Sequence, residues 1–105
     1  MKLQKYRWSK TYESAEEELE DLLESVGVEA HRWTAVIHEE FSEHAHTLDK
    51  HLWCAEGSII FSVDGKEFSL QPGDALTIPA RTMHSATAGL AGVVCYESPV
   101  QNPVV

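Results

Sequence analysis

From Ala30 onward the chain alternates short apolar or β-branched runs with turn residues, and no run carries the 3.6-residue period of a helix. Residues 31–38 mix aromatic and β-branched side chains in rough alternation. Residues 39–46 are polar and end in a histidine pair. Residues 51–56 and 58–63 read as strands around Gly57, Asp64-Gly65 as a two-residue hairpin turn, and residues 67–70 as the returning strand. Gln71-Pro72-Gly73-Asp74 is a turn, residues 75–78 a strand stopped by Pro79, and residues 83–87 and 93–97 two more strands. Parallel neighbours need a long crossover, usually helical, and none separates these strands, so the sheet is antiparallel. About seven short strands at this spacing predict an all-β sandwich or barrel.

The first part of the chain differs. Residues 3–8 read as a short strand or arm, with Trp8 and Tyr12 as apolar anchors. Ser14 and Glu17 have the spacing of a capping box, and acids crowd the turns that follow, where the helix dipole favours them. Ala15, Leu19, Leu22, Leu23 and Val26 recur at three- and four-residue steps, and Gly27 supplies a left-handed stop. This predicts an N-terminal amphipathic helix with a water-facing acidic side, there for packing. The expected division is an arm and helix over 1–29, a barrel over 30–98 and a loosely held tail over 99–105, all in one domain.

Charge narrows the partners. The net charge of −9 is unevenly spread: Lys2, Lys5, Arg7 and Lys10 lie in the first ten residues, and an acidic helix follows. That is the wrong electrostatic sign for nucleic acid. No apolar run reaches the roughly 18 residues of a membrane span, and the N-terminus lacks the apolar core of a secretion signal. These features predict a cytoplasmic protein without nucleic-acid or membrane partners. Cys54 and Cys95 sit in apolar surroundings without Cys-x-x-Cys spacing, which predicts buried thiols, although one disulfide between them is compatible with the sequence.

The chemistry concentrates between His44 and Gly57. Residues i and i+2 of a strand point to one face, so His44 and His46 can aim two imidazoles at one point. A third ligand would have to come from another strand. Three imidazoles make one triangular face and leave positions open for water or substrate, the arrangement of a catalytic rather than a closed structural site. Imidazole suits Zn, Fe, Ni or Cu. Three histidines can also remain metal-free, hydrogen-bonded to each other and to water.

These residues resemble the cupin superfamily. Its first motif reads Gly, five residues, His-x-His, three or four residues, Glu, six residues, Gly; here His44-x-His46 and Gly57 match. Its second reads Gly, five residues, Pro-x-Gly, two residues, His, three residues, Asn; here Gly73, Pro79 and His84 match. The departures are Ser42 near the opening glycine, Arg81 at the second glycine, Ala88 at the asparagine, and Lys50 at the glutamate. The pattern is similar to a subgroup of small bacterial single-domain cupins with lysine in place of that glutamate. The resemblance implies a double-stranded antiparallel jelly-roll barrel, metal ligands at His44, His46 and His84, a divalent transition metal as cofactor, and a homodimer formed through a sheet face.

Lys50 is the sharpest departure, because an ammonium has three donors and no acceptor. A cation 4–6 Å from a divalent ion costs on the order of several kcal/mol at an effective dielectric constant of about 20. Lys50 could turn outward toward Asp49 or Glu43, face the pocket and hold an anionic ligand, or mark a weak or absent metal. His51 is the other candidate fourth ligand; strand alternation turns it away if Lys50 faces in, and a bulge would reverse this. Arg81 is placed at the mouth of the site, and Met83 lining or closing the pocket. His31 and His38 have no ligand spacing and are expected at the surface or core edge. Trp33, Trp53, Phe61 and Phe68 are expected in the core or an interface.

Two functions fit. One is a metal-dependent dioxygenase, isomerase or lyase acting on a small polar or anionic molecule. The other is a non-catalytic sensor or carrier that holds a small ligand with or without metal. A structural or storage role fits a single small barrel poorly.

Overall fold

The computed structural model describes residues 2–10 and 16–99. Seven antiparallel strands and one helix follow in the order β1 (Gln4–Arg7), α1 (Glu16–Ser25), β2 (His31–Ala35), β3 (Glu40–His44), β4 (Lys50–Val63), β5 (Lys66–Leu70), β6 (Asp74–Ile78) and β7 (His84–Pro99). The expected breaks at Gly57 and between residues 87 and 93 do not end strands. Residues 51–56 and 58–63 join in β4, and residues 83–87 and 93–97 join in β7. Residues 36–38, expected as strand, turn the chain instead, with His38 at φ 58°.

The two long strands build the jelly roll. The first half of β4 pairs with the last part of β7, from Lys50↔Pro99 to Cys54↔Cys95. Its second half pairs with the start of β7, from Ile59↔Ala88 to Val63↔His84. On one side the order is β1-β6-β4-β7-β2; on the other, β5 joins β4 and β3 joins β7. The register shifts between Cys54 and Glu56 and again between Gly57 and Ile59, so β4 turns a corner there. Gly57 sits at φ 72°, and a Cβ on it would lie 2.1 Å from the Gly92 carbonyl oxygen. The motif glycine is thus required both by backbone conformation and by close approach.

Inside the barrel, Leu52, Cys54, Ile59, Phe61, Val63, Leu70, Leu76, Ile78, Ala86, Ala88, Val93 and Cys95 form the main core. Cys54 and Cys95 face each other across the ladder as buried free thiols. Outside the five-stranded side, Trp53, Ala55, Ala75 and Tyr96 form a second layer against Leu19 and Leu23 of the helix. Phe61 is core and Phe68 packs against it, as expected. The apolar stripe of α1 is narrower than predicted: Leu22 is 39% and Val26 62% exposed. One face of a ten-residue helix laid on a sheet buries only the Leu19–Leu23 row. Ser14, Ala15 and Tyr12 lie outside the described residues. Gly27 ends the helix as predicted, with Val28 N–H bonding Leu23 C=O and Gly27 N–H bonding Glu24 C=O, a Schellman pattern.

The acidic face of α1 is not wholly given to water. The Tyr96 hydroxyl lies 2.9 Å from a carboxylate oxygen of both Glu16 and Glu20, and Arg32 pairs with Glu16. Burial and these two carboxylates push the Tyr96 phenol pKa well up, whereas the Arg32 hydrogen bond pulls Glu16 down. The arm is fastened similarly. Asp74, 3% exposed, accepts from Arg7 at 3.0 Å and from the Gln71 N–H at 2.9 Å, tying β1 to β6.

Gly57→Ala should lose about 3 kcal/mol or more in urea unfolding, because added volume meets backbone that cannot yield. Gly65 shares the positive φ, at 77°, but a Cβ there meets nothing within 4 Å. Gly65→Ala should therefore cost only about 1–2 kcal/mol, the conformational part alone.

Candidate metal centre

The last residue of β3, the loop after it and the first residue of β7 bring three imidazoles together. His44 pairs directly with His84 in the ladder, and His46 lies just past the strand end. Ring centroids are 4.3 Å apart for His44–His84, 4.8 Å for His44–His46 and 5.1 Å for His46–His84. One ring nitrogen from each lies within 4.8 Å of the others. Two of the rings are fixed by backbone. His44 Nδ1 is 2.8 Å from the Ser42 carbonyl and His84 Nδ1 is 3.0 Å from the Thr82 carbonyl. A carbonyl only accepts, so each Nδ1 carries the proton and each Nε2 keeps its lone pair. That is the tautomer and orientation found where imidazole binds a metal. The donor set therefore fits a divalent transition metal.

The surroundings favour the neutral form of His46 and His84. Burial pushes the His84 pKa down, with a smaller push from His44. Burial also lowers His46, helped by the Lys50 ammonium. A neutral imidazole is the form that donates to a metal.

The histidines stand at a cavity of about 250 Å³ inside the barrel, lined also by His31, Trp33, Phe41, Lys50, Leu52, Phe61 and Glu97. Lys50 faces in. It shares its side of β4 with Leu52 and Cys54 of the inner core. The outward pairing with Asp49 or Glu43 does not occur: Lys50 Nζ lies 3.6 Å from Glu97 Oε2, and Asp49 instead accepts the Ala80 N–H at 2.6 Å.

The other expected site residues fall elsewhere. His51 takes the opposite face of β4 and stacks on Trp53 of the outer layer, with centroids 5.5 Å apart, so it is no fourth ligand to this cluster. No bulge falls between Lys50 and Trp53 to turn it inward. Met83 is 48% exposed and does not line the cavity, because its neighbour His84 takes the inward side. The Arg81 side chain is exposed and also off the cavity wall. Its backbone matters more: at φ 61° it keeps the left-handed conformation of the glycine usual there, and its N–H bonds the His46 carbonyl at 2.7 Å. Arg81 thus helps hold the loop that carries His46. His31, expected to be peripheral, is exposed but lines the cavity, and Trp33 packs edge-on against Phe41 there.

Sequence reasoning missed Glu97 and Phe41. Glu97 was accessible to it: Val93, Cys95 and Glu97 alternate, so a buried Cys95 points Glu97 inward as well. Phe41 was obscured by the polar residues around it.

Residues 31–89 match the family described as Cupin domain, which is more than half of the chain, and the protein belongs to that family. KdgF from Halomonas sp. is 26% identical, with 70% of this chain and 69% of that chain covered and a TM-score of 0.59. An RmlC-like cupin from Shewanella frigidimarina is 25% identical, with 70% and 67% covered and a TM-score of 0.61. A duf861 family protein from Thermotoga maritima has the same fold at 18% identity, with 94% and 100% covered and a TM-score of 0.66. No curated protein matches the sequence. No described helix is long and apolar enough to cross a membrane.

The lowered histidines set a pH dependence. His46, His84 and His51 all have folded pKa values below the ordinary 6.5. Between the lowered value and 6.5 the unfolded chain binds more protons than the folded one, so stability rises with pH in that window. Urea midpoints measured with EDTA should therefore fall as the pH drops from 7.5 through 6.5 toward 5.5. His51→Asn should flatten part of that slope while leaving metal binding intact.

Proposed function

We propose that this protein binds one divalent transition metal through His44, His46 and His84 and uses it on a small polar or anionic molecule held in the adjoining cavity. The observation that carries this is the shared aim of the three imidazoles, two of them with Nδ1 tied to backbone carbonyls. A bound Zn, Fe, Ni or Cu ion would supply a Lewis acid with open positions. The chain's own residues then divide the work. The three histidines hold the ion. Lys50 and Glu97 offer a donor and an acceptor on the cavity wall. Trp33, Phe41, Phe61 and Leu52 exclude water and pack against the apolar part of a ligand. Glu97 also offers a proton-accepting group outside the three histidines. Dioxygenase, isomerase and lyase chemistry all use such a site.

A non-catalytic binding role is the second reading. It is favoured by Lys50, which puts a cation where a ligating carboxylate would serve a metal better. As an assembly we propose a homodimer. Among the described residues no tryptophan, tyrosine or phenylalanine is exposed, so the aliphatic Val36, Ile37 and Leu90, all more than half exposed, are the apolar contacts we assign to it. Sedimentation should show a dimer that Leu90→Glu weakens; a monomer at micromolar concentration would remove the proposal.

Metal content decides the central point. Tag-free protein should carry about one equivalent of transition metal by elemental analysis, and His44→Ala or His84→Ala should lose it. Protein that takes up none after incubation with Fe, Zn, Ni and Cu would rule out the metal-dependent reading. A metal-loaded protein that turns over no small carboxylate or carbonyl substrate would leave the carrier role.

A further inference from the structure

Lys50 stands beside a candidate site for a divalent cation, and the fold has not turned it away. Its side chain is only 20% exposed, shares the cavity with all three histidines, and its charge is felt at His46 and His84. Left alone, it would oppose a divalent ion strongly in such a partly desolvated place. Glu97 comes from the neighbouring strand. In the ladder it pairs with Leu52, which puts it diagonally next to Lys50 on the inner face. Its carboxylate lies 3.6 Å from the lysine ammonium, and its side chain is 26% exposed. The distance is that of an ion pair rather than a good hydrogen bond. Among the described residues neither side chain has a hydrogen-bond partner, so each is the other's electrostatic counterpart.

We infer that Glu97 is a positioning residue that neutralises Lys50 and so keeps the three-histidine site hospitable to a divalent cation, in the place of the carboxylate missing at position 50. The inference rests on the metal reading above and adds a residue to it. The carboxylate here stands on β7 rather than at position 50 of β4, and its part is charge compensation rather than ligation. The ion then sees a pair with little net charge rather than a bare cation. Glu97 stays off the metal in this arrangement: the ligand atoms that converge are those of the three histidines alone. The same pair leaves Lys50 with donors to spare for an anionic group of a ligand, and Glu97 holds it in place until one arrives.

A double-mutant cycle on metal affinity tests this without any assay of turnover. Ni²⁺ binding is measured by calorimetry on the wild type, Glu97→Gln, Lys50→Met and the double variant, with thermal unfolding followed in parallel. Glu97→Gln exposes the lysine charge and should weaken binding at least about tenfold. Lys50→Met leaves an unpaired carboxylate and should tighten it about tenfold. The two changes should cancel, leaving the double variant within about threefold of wild type. If the double variant binds as weakly as Glu97→Gln, Glu97 is a metal ligand and the inference fails. If wild type binds Ni²⁺ and Glu97→Gln binds it equally well, the inference fails while the metal reading stands. Wild type that binds no Ni²⁺ overturns both. Should Glu97→Gln not fold, Lys50→Met decides alone, since unchanged or weaker binding there is incompatible with charge compensation.

Discussion

The antiparallel ladder between β4 and β7 carries this structure. These are the two longest strands, and each serves both sides of the barrel by bending partway along. The bend depends on a close backbone approach: Gly57 lies over the Gly92 carbonyl, and a Cβ on Gly92 would in turn lie 2.6 Å from the Ala35 carbonyl. Three strands therefore meet at a point with no room for side chains. The first half of β4 presents Lys50 to the cavity, and the start of β7 presents His84. The site exists because one ladder is folded over on itself, so that residues far apart in sequence face a common interior.

Around that ladder, polar contacts hold the attached pieces. Asp74 draws the basic arm onto β6 through Arg7, and Tyr96 anchors α1 through Glu16 and Glu20. The basic strip and the acidic helix are thus partly spent on internal contacts, each closing an edge or a face of the barrel. An open edge strand is a template for unwanted pairing, and the arm covers the free side of β6.

Inside, the site mixes two demands. Burial favours the neutral form of His46 and His84, and two backbone carbonyls orient His44 and His84. The cavity also carries a lysine and a glutamate, which are costly to bury singly and cheaper as a pair. The pairing of Lys50 with Glu97 makes a wall of little net charge with a donor and an acceptor beside the three histidines. With the aromatic and aliphatic side chains around it, that wall suits a ligand that has both polar and apolar parts.

Much of this was legible in the residues. Alternation, the Asp64-Gly65 turn and the absence of intervening helices point to an antiparallel barrel, because strand periodicity is a local property. The spacing of His44, His46, Gly57, Gly73, Pro79 and His84 identified the three histidines, and Gly27 marked the helix end. What the chain alone left open was decided by tertiary contacts. Whether Lys50 faced in or out depended on which side of β4 met the core, and that followed from pairing with β6 and β7. Glu97 became a site residue only once β7 lay beside β4, a proximity between residues 47 positions apart in sequence. Leu22 and Val26 satisfy helical spacing yet remain exposed, since the width of the buried stripe is set by the surface beneath it. Local sequence determined the strands, the turns and the ligand types; the register between distant strands decided which charges would meet, because electrostatic partnership depends on distance in space and a sequence records only distance along the chain.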